Sequence, residues 1–512
     1  MDIESDERKI DCGDSTTNAS EESPSKSPAA ANDIDLDPKD PAVMDGVWAK
    51  ELIEIGRDER EINDDQVHGI RSWAVQETPE ILNSALNDMQ AEINKLPPEE
   101  KVGHGRGLKL NSMYIESLAF RLKFLRARKF NPKHAAMAYC KCLDLLLESF
   151  GEFALMRRLH ITDLKDEEMA YMQEGRFQVL PSRDCLGRRI AVFNAYPTER
   201  RYSFDNMFKV YLYMIQGILS EDISTQRNGM VYIGIIALNQ AMDSHEASTT
   251  LLKKVHMMFE GTPLFWGAVH LCVPNEPLYR VVTALFMAWI GAEGRKLMRI
   301  HRGNQIQIFY NLRSFGIPVG DIPQMQSGQV KTKNHLRLIK VRLAMDTYQD
   351  EQKRLSKRDS RRKTAPEAIK PFAGIECPEI DFVILSRLQG SQKNHPGNVA
   401  FRKIMLENEG LKTMLQVYQG QNAESITRVE LMRVVDTVIY EACLHGLQFV
   451  AYDNEKCYYL EVISQQEIRK KVQKIIMRHQ NKFRSKAQGR NTTPSPNSLD
   501  LSEKKAIECN KC

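Results

Sequence analysis

At 512 residues the chain is long enough for roughly two to four domains. Its apolar fraction of 42% is that of a globular protein, and a formal net charge of +4 is too small to select a partner by charge alone. Ten scattered cysteines argue against a disulfide framework. The polar N-terminus lacks the apolar core of a secretory signal, and no run reaches membrane-spanning length, so a cytoplasmic protein with at most peripheral membrane contact is expected.

Residues 1–45 carry thirteen Asp/Glu against four Lys/Arg and few large apolar side chains, and read as a disordered acidic segment. Residues 46–160 read as a helical region, with helices over Val47–Arg60 and Thr78–Leu96 and a stronger pattern from about residue 112. There Leu118, Leu122 and Leu125 form a stripe, and Asn131-Pro132 caps a second helix through Leu147. Alternating strands and helices follow. Short strands are predicted at Arg176–Leu180 and Arg189–Phe193, joined by a turn carrying Asp184 and Gly187. A helix follows at Phe204–Leu219, with Phe208, Tyr211, Leu212 and Ile215 on one face. The run Met230–Leu238 reads as a strand buried on both sides, Ala247–Phe259 as a helix and Ala268–Val273 as another strand. This order predicts an α/β unit over 161–324 with a mixed sheet flanked by helices.

The stretch from Thr262 to Asn304 stands out. After Pro274 a helix opens, with Pro277 in its first turn. Leu278, Val281, Val282, Leu285, Phe286 and Trp289 share one face; Tyr279, Thr283, Ala284, Met287 and Ala288 share the other. No charge occurs from Val281 to Ala292, after which come Arg295, Lys296, Arg299, His301 and Arg302. Such a helix is either a core element ending in a solvated turn or a lid over an apolar space with a cationic rim.

Beyond it, residues 325–374 read as a charged helix and a basic linker. KRLSKRDSRRK (353–363) suits a nuclear-import signal, a headgroup contact or a solvated linker. Residues 375–490 read as a separate small α+β unit with a helix over Thr427–Leu444, a hairpin turning at Asp453-Asn454 and a basic helix. Arg469–Arg490 holds nine Lys/Arg and no acid. The tail 491–512 reads as disordered.

No phosphate-binding glycine loop, nucleophile elbow or paired metal-ligand motif is present, and His245, His256, His270 and His301 lie on different elements, so no catalytic residue, metal site or cofactor is assigned. What remains is the aromatic and Met-rich material of residues 204–293, which suits either a filled core or a pocket for a hydrophobic ligand.

Two resemblances sharpen this. LKFLRARKFN (122–131), AVHLCVPNEPLYRVV, RIHRGN and FGIPVGDIP make residues 112–324 resemble the CRAL-TRIO lipid-binding family, which includes the tocopherol and retinaldehyde carriers and a yeast phosphatidylinositol transfer protein. Ala237 stands where many members carry Asp, and the usual Tyr-Gly-Gly ending is absent. The resemblance implies a bowl with a sheet floor and a gate helix at Pro277–Ile290. Its cavity wall would draw on Phe208, Tyr211, Leu212, Ile215, Ile233, Ile235, Leu285, Phe286 and Trp289. It also implies headgroup binding by Arg295 and Arg299, one helical turn apart, with Arg302. The expected function is non-enzymatic binding, with transfer between membranes, of a phospholipid, phosphoinositide, tocopherol- or retinoid-like lipid by a monomer that docks on anionic membrane. DFVILSR, NHPGN and GLQFVAYDNEKCYYLEV make the C-terminal unit resemble a module of unknown function common in diatom proteins. The alternative expectation is a lipid-sensing regulator whose basic C-terminal unit, with Tyr458 and Tyr459, binds nucleic acid or a protein partner, in the cytoplasm or the nucleus.

Overall fold

The computed structural model describes residues 41–72, 74–195, 202–236, 257–324, 329–361, 372–386, 394–417 and 427–490. Helices α1 (Pro41–Glu54) and α2 (Arg57–Val67) lead into α3 (Pro79–Lys95), α4 (Val102–Lys109), α5 (Leu118–Ala127) and α6 (Pro132–Phe150), followed by the short α7 (Phe153–Met156) and α8 (Asp166–Glu174). Side-chain caps set their starts. Thr78 accepts from the Ile81 amide, Ser117 from Phe120 and Asn131 from His134. Of the segment expected to be disordered, residues 1–40 lie outside the described residues, and the last five are helical, since α1 begins at Pro41 and buries Met44. The single helix expected over Val47–Arg60 is two, separated at Gly56, whose ψ of 160° is extended.

One sheet holds β1 (Phe177–Arg183), β2 (Arg189–Ala195), β3 (Met230–Ile236), β4 (Trp266–Val273) and β5 (Met298–Arg302), in that spatial order. β1 and β2 form an antiparallel hairpin, while the β2-β3, β3-β4 and β4-β5 pairs are parallel. This is the mixed α/β architecture expected. Helix α9 (Phe204–Tyr213), which continues as a π turn over Met214–Ile218, and α10 (Ile223–Asn228) connect β2 to β3. Helix α11 (Leu278–Lys296) connects β4 to β5, and α12 (Gln305–Ser314) follows β5. Position 237 and most of the helix expected over Ala247–Phe259 lie outside the described residues.

Parallel strands placed in consecutive order favour crossovers of one hand, and the described crossover helices α9 and α11 lie on the same face of the sheet. That face presents Val179, Ala191, Phe193, Tyr232, Trp266, Val269 and Leu271 to the helices. The opposite face presents Leu180, Ile190, Val192, Val231, Ile233, Ile235, Ala268 and Cys272. It is covered by Ile308 and Leu312 of α12, by Ile317 and Ile322 beyond it, and by Val67 of α2.

The long helix α13 (Lys333–Arg361) lies along the first unit. Its His335 ring nitrogen bonds the Met172 carbonyl at 2.6 Å, Arg342 donates to the Gly217 carbonyl, and Asp346 pairs with Arg158 at 2.6 Å. The C-terminal unit then comprises β6 (Phe382–Ile384), α14 (Pro396–Glu407), α15 (Glu409–Val417), α16 (Arg428–Leu444), β7 (Gln448–Asp453), β8 (Tyr458–Glu461) and α17 (Gln465–Arg490). β7 and β8 form the hairpin expected, and β6 adds to β7 in parallel. It has its own core around Phe401, Val435, Val438 and Val472.

Candidate lipid-binding face and basic rim

Helix α11 starts immediately after Pro277, as its sequence dictates, and its uncharged body lies over β4 and β5. Of its two apolar faces it buries one more deeply than the other. Tyr279, Thr283, Ala284, Met287 and Ile290 are buried, whereas Leu278 is 61% exposed and Val281 and Leu285 are only half-buried. The small residues Thr283 and Ala284 let the helix sit close to the sheet, which leaves the bulkier edge less covered. The helix is also interrupted: Gly291 has φ 73° and ψ 170°, a backbone region open essentially to glycine alone.

The predicted wall residues separate into groups. Phe208, Leu212 and Ile215 are fully buried in the core shared with the N-terminal helices. Tyr211 enters an aromatic cluster on the crossover face. Its hydroxyl lies 2.5 Å from that of Tyr171, and Phe177 and Phe193 contact its ring. Burial, then the neighbouring Tyr171, pushes its pKa well up, so it stays a neutral phenol. Phe286 stacks on Tyr232, which meets Trp266 edge-on, and Phe259 packs on Trp266. Tyr211 and Phe286 thus share one side of the sheet.

Ile233 and Ile235 do not join them. Both point to the opposite face and pack with Ile308 and Leu312. The reason is strand parity: in β3 the crossover face belongs to Tyr232, Gly234 and Ile236, and period-two alternation sends their neighbours away. An all-apolar strand gives no polar residue from which to read that parity. Leu285 sits on the half-buried edge of α11, and the side chain of Trp289 lies outside the described residues.

The basic rim also differs from expectation. Arg295 and Arg299 are not one turn apart on a helix, because Leu297 ends α11 and Arg299 stands in β5. Neither is free. Arg295 forms a two-pronged pair with Glu51 of α1, at 2.7 Å for Nε, and donates to the Met287 carbonyl. Lys296 bonds Glu293 at 2.9 Å and Glu59 of α2 at 3.1 Å. Burial disfavours its ammonium, but these two carboxylates outweigh that and raise its pKa. Arg299 pairs with Asp64 of α2. Arg302 is exposed beside Tyr279 and Arg280. His301, expected in a solvated basic turn, is buried on the far face, its Nε2 2.9 Å from Nδ1 of His270.

Sequence reasoning missed this acidic strap. Met44 and Trp48 of α1 pack with Ala284, Met287 and Met298, and the Trp48 indole donates to the Arg295 carbonyl at 3.2 Å. Glu51, Glu59 and Asp64 then meet three of the rim cations. Their sequence looks like an ordinary solvated helix face; only the docking of α1 and α2 gives it meaning. Among the described residues no group of His, Cys, Asp and Glu could hold a metal ion, and no helix is long and apolar enough to cross a membrane.

No family model matches the chain. It is similar to clavesin-1 of Xenopus laevis, 26% identical over 200 residues, which is 38% of this chain and 57% of that protein. Clavesin-1 of Rattus norvegicus and of Mus musculus match at 26% over the same share of this chain and 53% of theirs. The chain therefore spans little more than half the length of these relatives. None of these matches supports the diatom-module resemblance of the C-terminal unit. Clavesin-1 is a CRAL-TRIO protein, and its similarity, with a mixed sheet flanked by helices, supports the CRAL-TRIO family for this chain.

Proposed function

We propose that the protein binds a hydrophobic lipid without chemical turnover and carries it between membranes, with α11 as the gate. The observation that carries this reading is the construction of α11: an apolar cover on the crossover face, hinged at Gly291, with its bulky edge only half-buried. Swinging about Gly291 uncovers the aromatic floor of Tyr232, Trp266 and Phe193. A lipid surface receives the exposed apolar helix, which offsets a burial loss of about 25 cal/mol per Å². Phe208, Tyr211, Leu212 and Ile215 supply the wall on the N-terminal side.

Arg295, Arg299 and Arg302, with Lys296, form the contact to anionic headgroups, at about 1 kcal/mol per cation near such a surface. In the closed form the α1–α2 carboxylates occupy three of these four cations. An anionic membrane competes for the same groups, so docking and release of the strap are one event. The lipid class stays broad: a phospholipid, phosphoinositide, tocopherol- or retinoid-like molecule.

Of the two aromatics beside the basic helix that motivate the regulator alternative, Tyr459 is buried against Tyr452, and Tyr458 is half-buried and meets Phe372 edge-on. The carrier reading is tested by native mass spectrometry of the purified chain before and after incubation with liposomes. The expected result is one bound lipid per chain, removable by acceptor vesicles. Protein that never takes up lipid, with α11 intact, would refute it.

A further inference from the structure

A large cleft among the described residues is not under α11. It lies between the β1–β2 hairpin, the start of α13 and the C-terminal unit, and encloses about 1070 Å³. This relation of the two units is fixed by a buried ionic network. Arg183 pairs with Asp222 at 2.5 Å and donates to the carbonyls of Cys377 and Pro378. Glu376 is held by both Arg189 and Arg342 at 2.5 Å. The cleft is therefore a preformed space rather than a loose seam.

Its charge is one-sided. Arg313, Lys333 and Arg337 line it, and none has an ion pair among the described residues. Arg337 lies 5.8 Å from the Tyr452 ring, which also lines the cleft. Of the lining carboxylates among the described residues, Asp184 is bound to Arg188 and Glu376 to its two arginines, which leaves Asp321 as the counter-charge there. Two helices begin at this cleft. Lys333 and Asn334 are the first residues of α13, and His395 and Pro396 open α14. The first amides of a helix have no intrahelical acceptor and carry the positive end of its dipole.

Buried polar groups there also lack partners. The hydroxyls of Ser182 and Ser386 are buried and unpaired. His395, 7% exposed, lines the cleft with its ring against the backbone carbonyls of Pro378 and Phe382. A buried polar group left unmade costs about 1–3 kcal/mol, so three such groups around one polar cleft, the Ser182 and Ser386 hydroxyls and a carboxylate oxygen of Asp321, favour a ligand that satisfies them.

We infer that this cleft is a binding site for a multiply phosphorylated, hydroxyl-bearing small molecule. Its phosphates take Arg313, Lys333, Arg337 and the two helix starts, and its hydroxyls meet Ser182, Ser386 and Asp321. The same chemistry is available free in solution or as the headgroup of a lipid. The site is separate from the α11 rim, so the inference stands or falls independently of the carrier reading.

The test is titration calorimetry of the full chain with inositol hexakisphosphate and with inorganic pyrophosphate, alongside sedimentation with phosphoinositide-containing vesicles. The Arg313→Gln/Arg337→Gln double variant removes two partly or fully exposed side chains, and an unchanged melting temperature checks its fold. A Lys470→Gln/Lys474→Gln variant on the basic face of α17 controls for nonspecific attraction. The expected result is saturable binding of the hexakisphosphate to the wild type, weakened at least about tenfold in the first variant and unchanged in the second. Loss of soluble binding with vesicle binding retained assigns a free ligand; loss of both assigns a headgroup. No saturable binding to the wild type, or equal loss in both variants, overturns the proposal.

Discussion

His270 and His301 show how much a single pair of side chains says about this sheet. Stacked on each other and met edge-on by Phe315, they fill the far face where aliphatic residues would otherwise sit. Burial, and then its neighbour's charge, drives His270 well below the usual histidine range. Burial and then Arg299 bring His301 down to about 4. Both are therefore neutral in the fold, and the unfolded chain takes up protons first as pH falls. Stability is fully present above about 6.5 and is lost as pH drops toward 4, by on the order of 3 kcal/mol for His301. A thermal midpoint that falls across that window in the wild type, and falls less in His301→Gln, is the expected outcome; identical pH profiles would exclude the pair as the cause. Asp222 acts in a lower window. Burial opposes its ionisation, but the Arg183 guanidinium more than compensates and holds it at about 2, so its contribution persists to more acid pH.

At the scale of elements, α11 and β3 teach the same lesson from two sides. The existence of each was legible: a proline-opened apolar helix, and an uninterrupted apolar strand. Which face each presents was not, because the body of α11 from Val281 to Ala292 and the strand β3 carry no charge that marks an outside. Gly291 is the residue that makes α11 two segments. A Cβ there would meet open space, so Gly291→Ala costs conformation rather than contact. The expected cost is about 1–3 kcal/mol in stability. In a gated carrier the substitution should also slow lipid exchange between donor and acceptor vesicles relative to its effect on equilibrium binding. Unaltered exchange kinetics would remove Gly291 from the hinge role.

At the scale of the molecule, two contacts between distant segments govern behaviour. The first is the strap. Glu51→Gln/Glu59→Gln/Asp64→Asn should strengthen binding to anionic vesicles several-fold and leave neutral vesicles unaffected, because it frees rim cations without touching the apolar face. The Lys296 and Arg299 pairs, whose acids are exposed, are worth about 0–1 kcal/mol each, whereas Glu51→Gln leaves the buried Arg295 without its counter-charge and carries most of the stability loss. Vesicle co-sedimentation at two salt concentrations reads both effects; weaker binding by the variant would show that the acids serve only folding. The second contact is Arg183, buried between the sheet and the C-terminal unit. Arg183→Met strands Asp222 and the Cys377 and Pro378 carbonyls, and chemical denaturation should show a loss of about 3–5 kcal/mol. Loss below about 1 kcal/mol would mean that the units are joined by other means.

By itself the sequence determined the elements and their order. Strands, helices, the capped α5–α6 unit and the β7–β8 hairpin follow from periodicity, prolines and capping residues, all of which act within a few positions along the chain. The tertiary structure decided everything that depends on which surfaces meet. It placed Ile233 and Ile235 on the far face, separated Arg295 from Arg299 by a helix end, buried His301, laid Glu51, Glu59 and Asp64 on the basic rim, and opened a polar cleft beside Arg313, Lys333 and Arg337. Charge and burial pair residues up to hundreds of positions apart, and no local pattern encodes the partner of a surface arginine.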